Sequence, residues 1–241
     1  MGRLPINDPT HAERSVADLS HLRRSRTFRR IAVGASFAAS GILVGCGYVF
    51  LSDDHRIDRI LLLGLPDPDG AITEAGRLTG IAWSLTSLGS PEIVFIAACA
   101  VLGFFLLSGR FNSAIFLIFA VAGGAVGGYA AKTIFGSFRP HHVPGTTNIA
   151  NTSFPSGHAL LITLLTASLA VIATRSTDHP LLRAYVWSVG VVIAFLVGVS
   201  RIYLGTHWPS DVIAGWTAGL LWVLITERFF RQSSFGPDFL R

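Results

Sequence analysis

Stretches without a charged residue alternate with short polar segments over most of this chain. A hydrocarbon core about 30 Å thick is crossed by roughly 20 apolar residues in an α-helix, because each residue adds about 1.5 Å. Six stretches approach or reach that length, at 31–51, 93–109, 111–131, 159–174, 184–200 and 212–226. The fourth and sixth are short, but both follow polar clusters, and we expect their helices to begin inside those clusters. The pattern predicts an all-α fold, a polytopic membrane bundle of six transmembrane helices.

The composition agrees with a membrane protein. Hydrophobic residues make up 51% of the chain, the mean hydropathy is +0.55, and only 14% of the residues are charged. A soluble domain carries about 25% charged residues. These values exclude a disordered chain, a collagen-like fibre and a disulfide-stapled mini-protein. Cys46 and Cys99 both lie inside apolar runs, so we interpret them as small hydrophobic residues rather than a disulfide pair.

Arginine is distributed unevenly between the two sides that these spans separate. With the N-terminus in the cytoplasm, the cytoplasmic segments carry thirteen arginines and the outer segments carry six cations. Cytoplasmic loops of membrane proteins have such an excess, so both termini are predicted to be cytoplasmic. The net charge of +5 is then a topology signal, and we expect no nucleic-acid partner. One domain is predicted, a six-span unit at 31–226 between an Arg-rich tail at 1–30 and a C-terminal tail at 227–241.

The outer segment between the first two predicted spans, 52–91, is longer than a simple connector. A turn sequence at 67–70 is followed by apolar residues at helical spacing over 72–85, with Glu74 and Arg77 interleaved. The spacing predicts an amphipathic helix on the outer membrane surface. Two roles stay open for it: a lip over a groove through which lipid reaches the protein, and a connector that packs on the bundle.

Ionisable residues are rare in the second half of the chain, and each is costly at membrane depth. Eight stand at or just beyond the outer ends of predicted spans three to six: Lys132, Arg139, His141, His142, His158, Arg201, His207 and Asp211. Three fixed cations that converge at a membrane surface require an anion. Phosphate is the natural candidate, because Arg forks match its oxygens in pairs and Lys adds a point charge.

The sequence PSGH at 155–158 places free backbone N–H groups and the positive end of a helix dipole toward the same outer space. Gly157 allows the backbone to approach an oxyanion closely, and the Ser156 hydroxyl can donate as well. In the first turn of the sixth helix, Asp211 can accept a hydrogen bond from one ring nitrogen of His207, leaving the other nitrogen free to attack. His158 would donate the proton to the leaving oxygen. The pattern predicts phosphoryl transfer through a histidine.

A metal-dependent phosphatase is the chemical alternative. A two-metal site needs several carboxylates, and beyond the first outer loop this face offers Asp211 alone. A zinc site built from His141, His142 and His207 is conceivable, but adjacent histidines in a loop rich in Gly, Pro and Thr are more often solvated. We therefore expect no metal and no cofactor.

Three motifs carry a family resemblance: KTIFGSFRP from Lys132 to Pro140, PSGH at 155–158, and SRIYLGTHWPSD from Ser200 to Asp211. With them the chain resembles the type-2 phosphatidic acid phosphatase superfamily, which also contains the vanadium haloperoxidases. Every fixed position of the family's three-part signature is matched, and the resemblance covers roughly 85–226. PSGH alone is a weak signal, whereas the three motifs together are highly specific.

The resemblance implies a six-span bundle, metal-independent hydrolysis and a phosphohistidine intermediate. The implied phosphate-binding residues are Lys132, Arg139, Ser156, Gly157 and Arg201, and the implied catalytic residues are His158 as general acid, His207 as nucleophile and Asp211 as its orienting partner. The implied substrates are lipid phosphates or diphosphates, namely undecaprenyl diphosphate, phosphatidic acid, phosphatidylglycerophosphate or lipid A phosphate. Family habit favours a bacterial inner membrane, with the site on the periplasmic side.

Three rival functions stay open at this stage. A lipid phosphotransferase would use the same phosphohistidine and pass the phosphate to another lipid instead of water. A vanadate-dependent haloperoxidase is disfavoured, because those enzymes are soluble. A non-catalytic lipid-binding protein would retain the motif residues but misplace them. The oligomeric state is not predicted.

Overall fold

The computed structural model describes residue 58 and residues 76–135 and 153–232. The regular elements in this part of the chain are all α-helices: α1 (Gly76–Ser87), α2 (Pro91–Leu107), α3 (Phe111–Phe135), α4 (Gly157–Ser176), α5 (Pro180–Tyr203) and α6 (Pro209–Gln232). The predicted all-α bundle is confirmed. The first predicted span, 31–51, the predicted tail at 1–30, and residues 233–241 of the predicted tail at 227–241 lie outside the described residues.

Helices α3, α4, α5 and α6 are each long and apolar enough to cross a membrane. The shorter helices α1 and α2 pass the same test only as a pair, bent by 45° at the break between them. Many large apolar side chains on these helices face outward, among them Phe95, Leu107 and Ile134. Such exposure is unfavourable in water and favourable in lipid. The chain is a multi-pass membrane protein with four described spans, or five if the bent pair counts as one.

Helix α1 falls where the amphipathic outer helix is predicted. Its buried residues, Ala82 and Thr86, stand one turn apart, while Leu78, Ile81 and Trp83 are exposed. The buried side packs against α5. The packed arrangement fits the connector role, and the exposed apolar residues fit contact with lipid.

Helix α4 is the centre of the bundle, since it contacts α2, α3, α5 and α6. Its buried residues surround the helix, as expected for an element enclosed by others. Leu164 of α4 is fully buried together with Phe116 and Leu117 of α3, Val197 of α5 and Val223 of α6. This apolar core holds the ends of four helices in register, and the candidate site lies at one of those ends.

Small residues set the closest helix approaches. Gly215 and Gly219 form a G-x-x-x-G pair on α6, and a Cβ at Gly215 would lie 2.7 Å from the Ser156 carbonyl oxygen. Association of helices in lipid relies on such close backbone packing, because lipid is as apolar as the side chains. On α3, a Cβ at Gly128 would lie 2.1 Å from Leu160 Cδ2 of α4. The start of α4 is thereby held against both the start of α6 and the end of α3.

The opposite end of the bundle carries an ion pair. Arg175 near the end of α4 binds Glu227 of α6, and Arg231 lies 3.6 Å from the same carboxylate. Glu227 is buried, and α6 continues past it to Gln232. The predicted boundary between the six-span unit and the C-terminal tail therefore falls inside a helix.

Candidate active site

The turn between α5 and α6 brings the backbone of His207 back to that of Arg201. Gly205 adopts a left-handed conformation with φ of 61°, which glycine reaches without a steric penalty. The chain then folds back, and the Arg201 carbonyl oxygen accepts hydrogen bonds from the backbone N–H groups of Thr206 at 3.1 Å and His207 at 3.3 Å. Two residues of the third motif are therefore held together by the backbone alone.

The His207 imidazole is buried beside two oxygen groups. Its Nδ1 atom lies 3.4 Å from Asp211 Oδ2 and 3.3 Å from Ser153 Oγ. The Ser153 hydroxyl donates to the same Asp211 oxygen, which also accepts the backbone N–H of Trp208 at 2.9 Å. Asp211 is 0% exposed and His207 is 2% exposed. A buried cluster of Ser153, His207 and Asp211 therefore stands at the start of α6.

This cluster assigns the tautomer of His207. The only proton of the Ser153 hydroxyl is donated to Asp211, so at Nδ1 the serine oxygen can act only as an acceptor. The Asp211 carboxylate is an acceptor as well. Both neighbours therefore require the imidazole proton on Nδ1, and the lone pair is left on Nε2.

Burial also decides the charge of His207. The pKa of His207 is lowered in total from 6.5 to about 4, and removal from water is the largest cause. The hydrogen bond and charge of Asp211 act in the opposite direction, while the positive charges of Arg201 and Lys132 lower the pKa further. At neutral pH the His207 side chain is therefore uncharged, the form in which a ring nitrogen can act as a nucleophile.

The PSGH sequence meets this cluster at the start of α4. The Ser156 N–H donates to the Asp211 carbonyl oxygen at 3.0 Å. The Ser156 hydroxyl is buried and, among the described residues, has no hydrogen-bond partner. A buried hydroxyl without a partner is unfavourable unless a ligand supplies one. Gly157 lies against Lys132 from the end of α3, whose Cε would be 3.5 Å from a Cβ at Gly157.

The corner between α1 and α2 completes the described site. The buried Arg201 guanidinium donates from Nη1 to the Thr86 hydroxyl at 3.2 Å. Gly89 lies so close to His158 that a Cβ there would be 3.0 Å from the His158 carbonyl oxygen. The segment that precedes the three motifs is thus packed directly on two of them.

The structure brings seven predicted site residues to one end of the bundle. They are Lys132, Ser156, Gly157, His158, Arg201, His207 and Asp211. Arg139, His141 and His142 lie outside the described residues. Within the described ranges, no group of three or more His, Cys, Asp or Glu side chains is placed to hold a metal ion. Metal independence stays a prediction.

Sequence reasoning missed three polar residues at this end: Asp58, Thr86 and Ser153. Each is buried and hydrogen-bonded to a motif residue or to its neighbour. Ser153 could have been suspected from the sequence, since its hydroxyl lies only three residues before Ser156 of the PSGH motif. Asp58 and Thr86 have none, because their partners are more than a hundred residues away along the chain.

An apolar pocket opens beside the site between α2, α3 and α4, with a volume of about 640 Å³. Phe95, Cys99 and Leu102 of α2 and Tyr129 of α3 contribute to its lining. Lys132 and Gly157 border it as well, so its lining reaches the candidate site. The pocket combines an apolar surface with a cation, the combination that a lipid with an anionic head group requires.

The family model of the PAP2 superfamily matches residues 113–234. The chain belongs to the PAP2 superfamily. All three motifs lie within the match, whereas Asp58 and Thr86 precede it. The family expectation drawn from the motifs is confirmed.

Curated relatives of this PAP2 protein carry phosphatase names. An undecaprenyl-diphosphatase of Sulfolobus acidocaldarius is 31% identical over 151 residues, which cover 61% of this chain and 68% of that protein. A phosphatidylglycerophosphatase B of Bacillus subtilis is 37% identical over 95 residues, which cover 38% of this chain and 45% of that protein. The match thus spans about two thirds of the first relative and less than half of the second. By family and relatives, the chain is a hydrolase of the lipid phosphatase type.

A solved structure shares the fold. A transmembrane PAP2-type phosphatidylglycerolphosphate phosphatase from Bacillus subtilis superimposes with a TM-score of 0.60. The superposition covers 85% of this chain and 98% of that one, at 22% sequence identity. The arrangement of membrane helices is therefore common to both PAP2 proteins.

Proposed function

We propose that this PAP2 protein is a metal-independent membrane phosphatase that hydrolyses a lipid phosphate or diphosphate through a phosphohistidine on His207. One observation carries the proposal. His207 is buried, uncharged at neutral pH, and oriented by Asp211 and Ser153 so that Nε2 bears the lone pair. Arg201 and Lys132 are close enough to His207 to lower its pKa, so a phosphate held by these cations lies next to the nucleophile.

The first chemical step forms a P–N bond and breaks a P–O bond. His207 Nε2 attacks phosphorus, and the Asp211 carboxylate stabilises the positive charge that develops on the imidazole. His158 donates its proton to the departing lipid oxygen, which leaves as an alcohol or a lipid monophosphate. Lys132, Arg139, Arg201, the Ser156 hydroxyl and the backbone N–H groups at Gly157 stabilise the charge on the phosphoryl oxygens.

Water completes the reaction. The neutral His158 accepts a proton from a water molecule, whose oxygen attacks the phosphorus of the phosphohistidine. The P–N bond breaks, inorganic phosphate leaves, and His207 recovers its lone pair on Nε2. Each turnover therefore returns both histidines to their starting protonation states.

The apolar pocket supports a lipid as the substrate. A volume of about 640 Å³ lined by α2, α3 and α4 suits part of a hydrocarbon chain, and Lys132 at its border suits the phosphate. The names of the relatives point to the same class, since one is an undecaprenyl-diphosphatase and another a phosphatidylglycerophosphatase. We propose that the substrate approaches from the bilayer rather than from water.

The arginine distribution supports an orientation. With thirteen arginines on the cytoplasmic side, both termini are cytoplasmic and the site faces the opposite, extracytoplasmic side. We propose a cell inner membrane location with the site on the periplasmic face. The 1–30 tail then serves as a topology anchor.

Phosphate release by the purified protein in detergent with EDTA tests the proposal. Dioctanoyl phosphatidic acid and farnesyl diphosphate serve as the two probes. We expect EDTA-resistant release that His207→Ala reduces by at least about 1,000-fold, because the nucleophile is removed. His179→Ala is the matched control, since His179 is an exposed histidine that precedes α5 and makes no side-chain cap hydrogen bond.

Three outcomes separate the alternatives. Release abolished by EDTA and restored by a divalent cation would contradict metal independence. Release that appears only when an acceptor lipid is added, with phosphate recovered on that lipid, would favour the phosphotransferase. A folded protein that binds the probes and turns over neither would favour a non-catalytic lipid-binding protein.

A further inference from the structure

Asp58 is a buried carboxylate that the three motifs do not include. It precedes the family match by more than fifty residues, yet its side chain is 1% exposed. Its Oδ1 atom accepts the backbone N–H of Ser210 at 2.9 Å, and its Oδ2 atom accepts the Ser210 hydroxyl at 2.6 Å. Both carboxylate oxygens are therefore directed at one residue, the immediate neighbour of Asp211.

The position of Ser210 explains why a carboxylate is stable there. Ser210 is the second residue of α6, where backbone N–H groups have no partner within the helix. Pro209 before it has no N–H to offer. The positive end of the helix dipole favours a negative charge at the same place. Asp58 thus caps the start of α6 from a segment 152 residues away.

The first turn of α6 is also the turn that carries the site. Asp211 holds His207 through Oδ2, and its carbonyl oxygen accepts the Ser156 N–H. A displacement of this turn would therefore change two distances at once: the distance between Asp211 and the imidazole, and the distance between α6 and the PSGH segment. A misplacement of about 1 Å in such an array costs about 100-fold in rate.

We propose that Asp58 is a positioning residue for the His207–Asp211 pair, acting through Ser210. The inference rests on the proposed function, since it assigns Asp58 a role in the chemistry of that same site. Asp58 holds the first turn of α6 in place. That turn carries Asp211, which fixes the tautomer and the direction of the His207 ring. A residue that precedes the family match thereby contributes to the reaction through the first turn of α6.

The alternative is a contact that only stabilises the fold. Loss of such a contact lowers the amount of folded protein and leaves the folded fraction fully active. Loss of a positioning contact lowers kcat more than it raises KM, because the phosphate-binding side chains of Lys132 and Arg201 lie on α3 and α5 rather than on the turn. The two readings also differ once the Asp211 side chain has been replaced, since the contact between Asp211 and His207 that Asp58 positions is then already weakened.

The experiment measures kcat and KM for Asp58→Ala with dioctanoyl phosphatidic acid, in the wild-type and Asp211→Asn backgrounds. We expect kcat to fall about 10- to 100-fold and KM to change less than about twofold in the wild-type background. In the Asp211→Asn background, the same substitution should lower kcat by a clearly smaller factor, about two- to fivefold, because only the distance between α6 and the PSGH segment is still affected. An equal loss of kcat in both backgrounds would overturn the proposal, and so would a loss confined to KM.

Two further variants keep the test decisive. Asp58→Asn retains the shape and an acceptor for the Ser210 N–H, so it should recover at least part of kcat; recovery of none would contradict the proposal. Where Asp58→Ala does not fold, Ser210→Ala takes its place, because it removes one of the two hydrogen bonds and leaves the backbone cap. Asp178→Ala is the matched control, since Asp178 is an exposed carboxylate that binds Arg183 away from the site.

Failure of the inference about Asp58 can be distinguished from failure of the proposed function. If the wild-type protein turns over neither probe, the phosphatase proposal fails, and the Asp58 contact is tested by cross-linking. For this, Asp58→Cys and Ser210→Cys are combined with Cys46→Ala and Cys99→Ala. Disulfide formation on mild oxidation would support the contact that the proposal requires, and its absence would overturn it.

Discussion

The two ends of the helix bundle place buried charges among different partners. At the end away from the site, Arg175 and Arg231 approach the buried carboxylate of Glu227, so opposite charges compensate each other. At the site end, the Arg201 guanidinium donates to the neutral Thr86 hydroxyl, and Asp211 accepts from a hydroxyl and a backbone N–H. One end holds an ion pair, whereas at the other end the charges of Arg201 and Lys132 act on the His207 imidazole.

This difference distinguishes charges that stabilise the fold from charges that act on the candidate site. A buried ion pair that satisfies itself contributes little field to its surroundings, and its loss is felt mainly as instability. At the site end, the positive charges of Arg201 and Lys132 lower the pKa of His207, and the same field attracts an anion. The comparison therefore predicts that substitutions at the two ends affect different measured quantities.

Paired arginine substitutions give the largest expected effect. Arg201→Gln should lower kcat/KM about 100- to 1,000-fold, because a charge that stabilises the phosphoryl oxygens is lost. Arg175→Gln should leave kcat/KM within about twofold and lower the free energy of unfolding by about 1–3 kcal/mol, because Glu227 loses its main partner. For both variants, steady-state kinetics gives kcat/KM and thermal unfolding in detergent gives the change in stability. Equal losses of kcat/KM in the two variants would remove the distinction between the ends.

The pH dependence of kcat/KM gives the second-largest expected effect. Since the pKa of His207 is lowered to about 4, the acid limb of kcat/KM should lie near pH 4 rather than near 6.5. The unfolded chain binds a proton on this histidine below its ordinary pKa of 6.5, so the stability contribution of the neutral form falls as the pH drops from 6.5 toward 4.

Lys132→Met sharpens the pH test. The Lys132 charge lowers the pKa of His207, so its removal should move the acid limb upward. The measurement is kcat/KM of the two proteins across the acid range, with unfolding followed in parallel to confirm that both remain folded. An acid limb near 6.5 in the wild-type protein would mean that the imidazole is more accessible to water than its burial indicates.

A single hydroxyl gives the smallest expected effect. Thr86→Val keeps the shape of the side chain and removes the acceptor of the Arg201 hydrogen bond. We expect KM to rise about two- to fivefold with kcat nearly unchanged, because the guanidinium is less well placed to bind phosphate. Thr174→Val is the control, since Thr174 accepts the Trp187 indole N–H and lies in α4 close to Arg175, away from the site. Unchanged KM in Thr86→Val would mean that this hydrogen bond does not help to place the Arg201 guanidinium.

The membrane helices were predictable from local pattern. The stretch 111–131 falls inside α3 (Phe111–Phe135), and the helices expected to begin inside polar clusters do begin there, at Gly157 and Pro209. The prediction for α5 started at 184 because Arg183 interrupts the apolar run, whereas the helix begins at Pro180. A charged side chain near a helix end can reach the membrane surface, so a charge does not mark the end of a helix.

The three motifs could also be recognised from the sequence, because each is a continuous stretch of the chain and its residue types indicate the chemistry. What the motifs do not contain is the orientation of His207. The orientation depends on the Ser153 hydroxyl and on the first turn of α6, which is held in place by its contacts. The charge of His207 depends on burial, which lowers the pKa of the imidazole.

The sequence alone determined the class of molecule, the helices and the chemical groups, since hydrophobic period and residue type are local properties of a chain. Only the tertiary structure decided that Asp58 caps α6 and that Thr86 meets Arg201. Those contacts join residues more than a hundred positions apart in the chain. A hydrogen bond needs its two atoms within about 3 Å, and that distance is set by how helices pack rather than by their order in the chain.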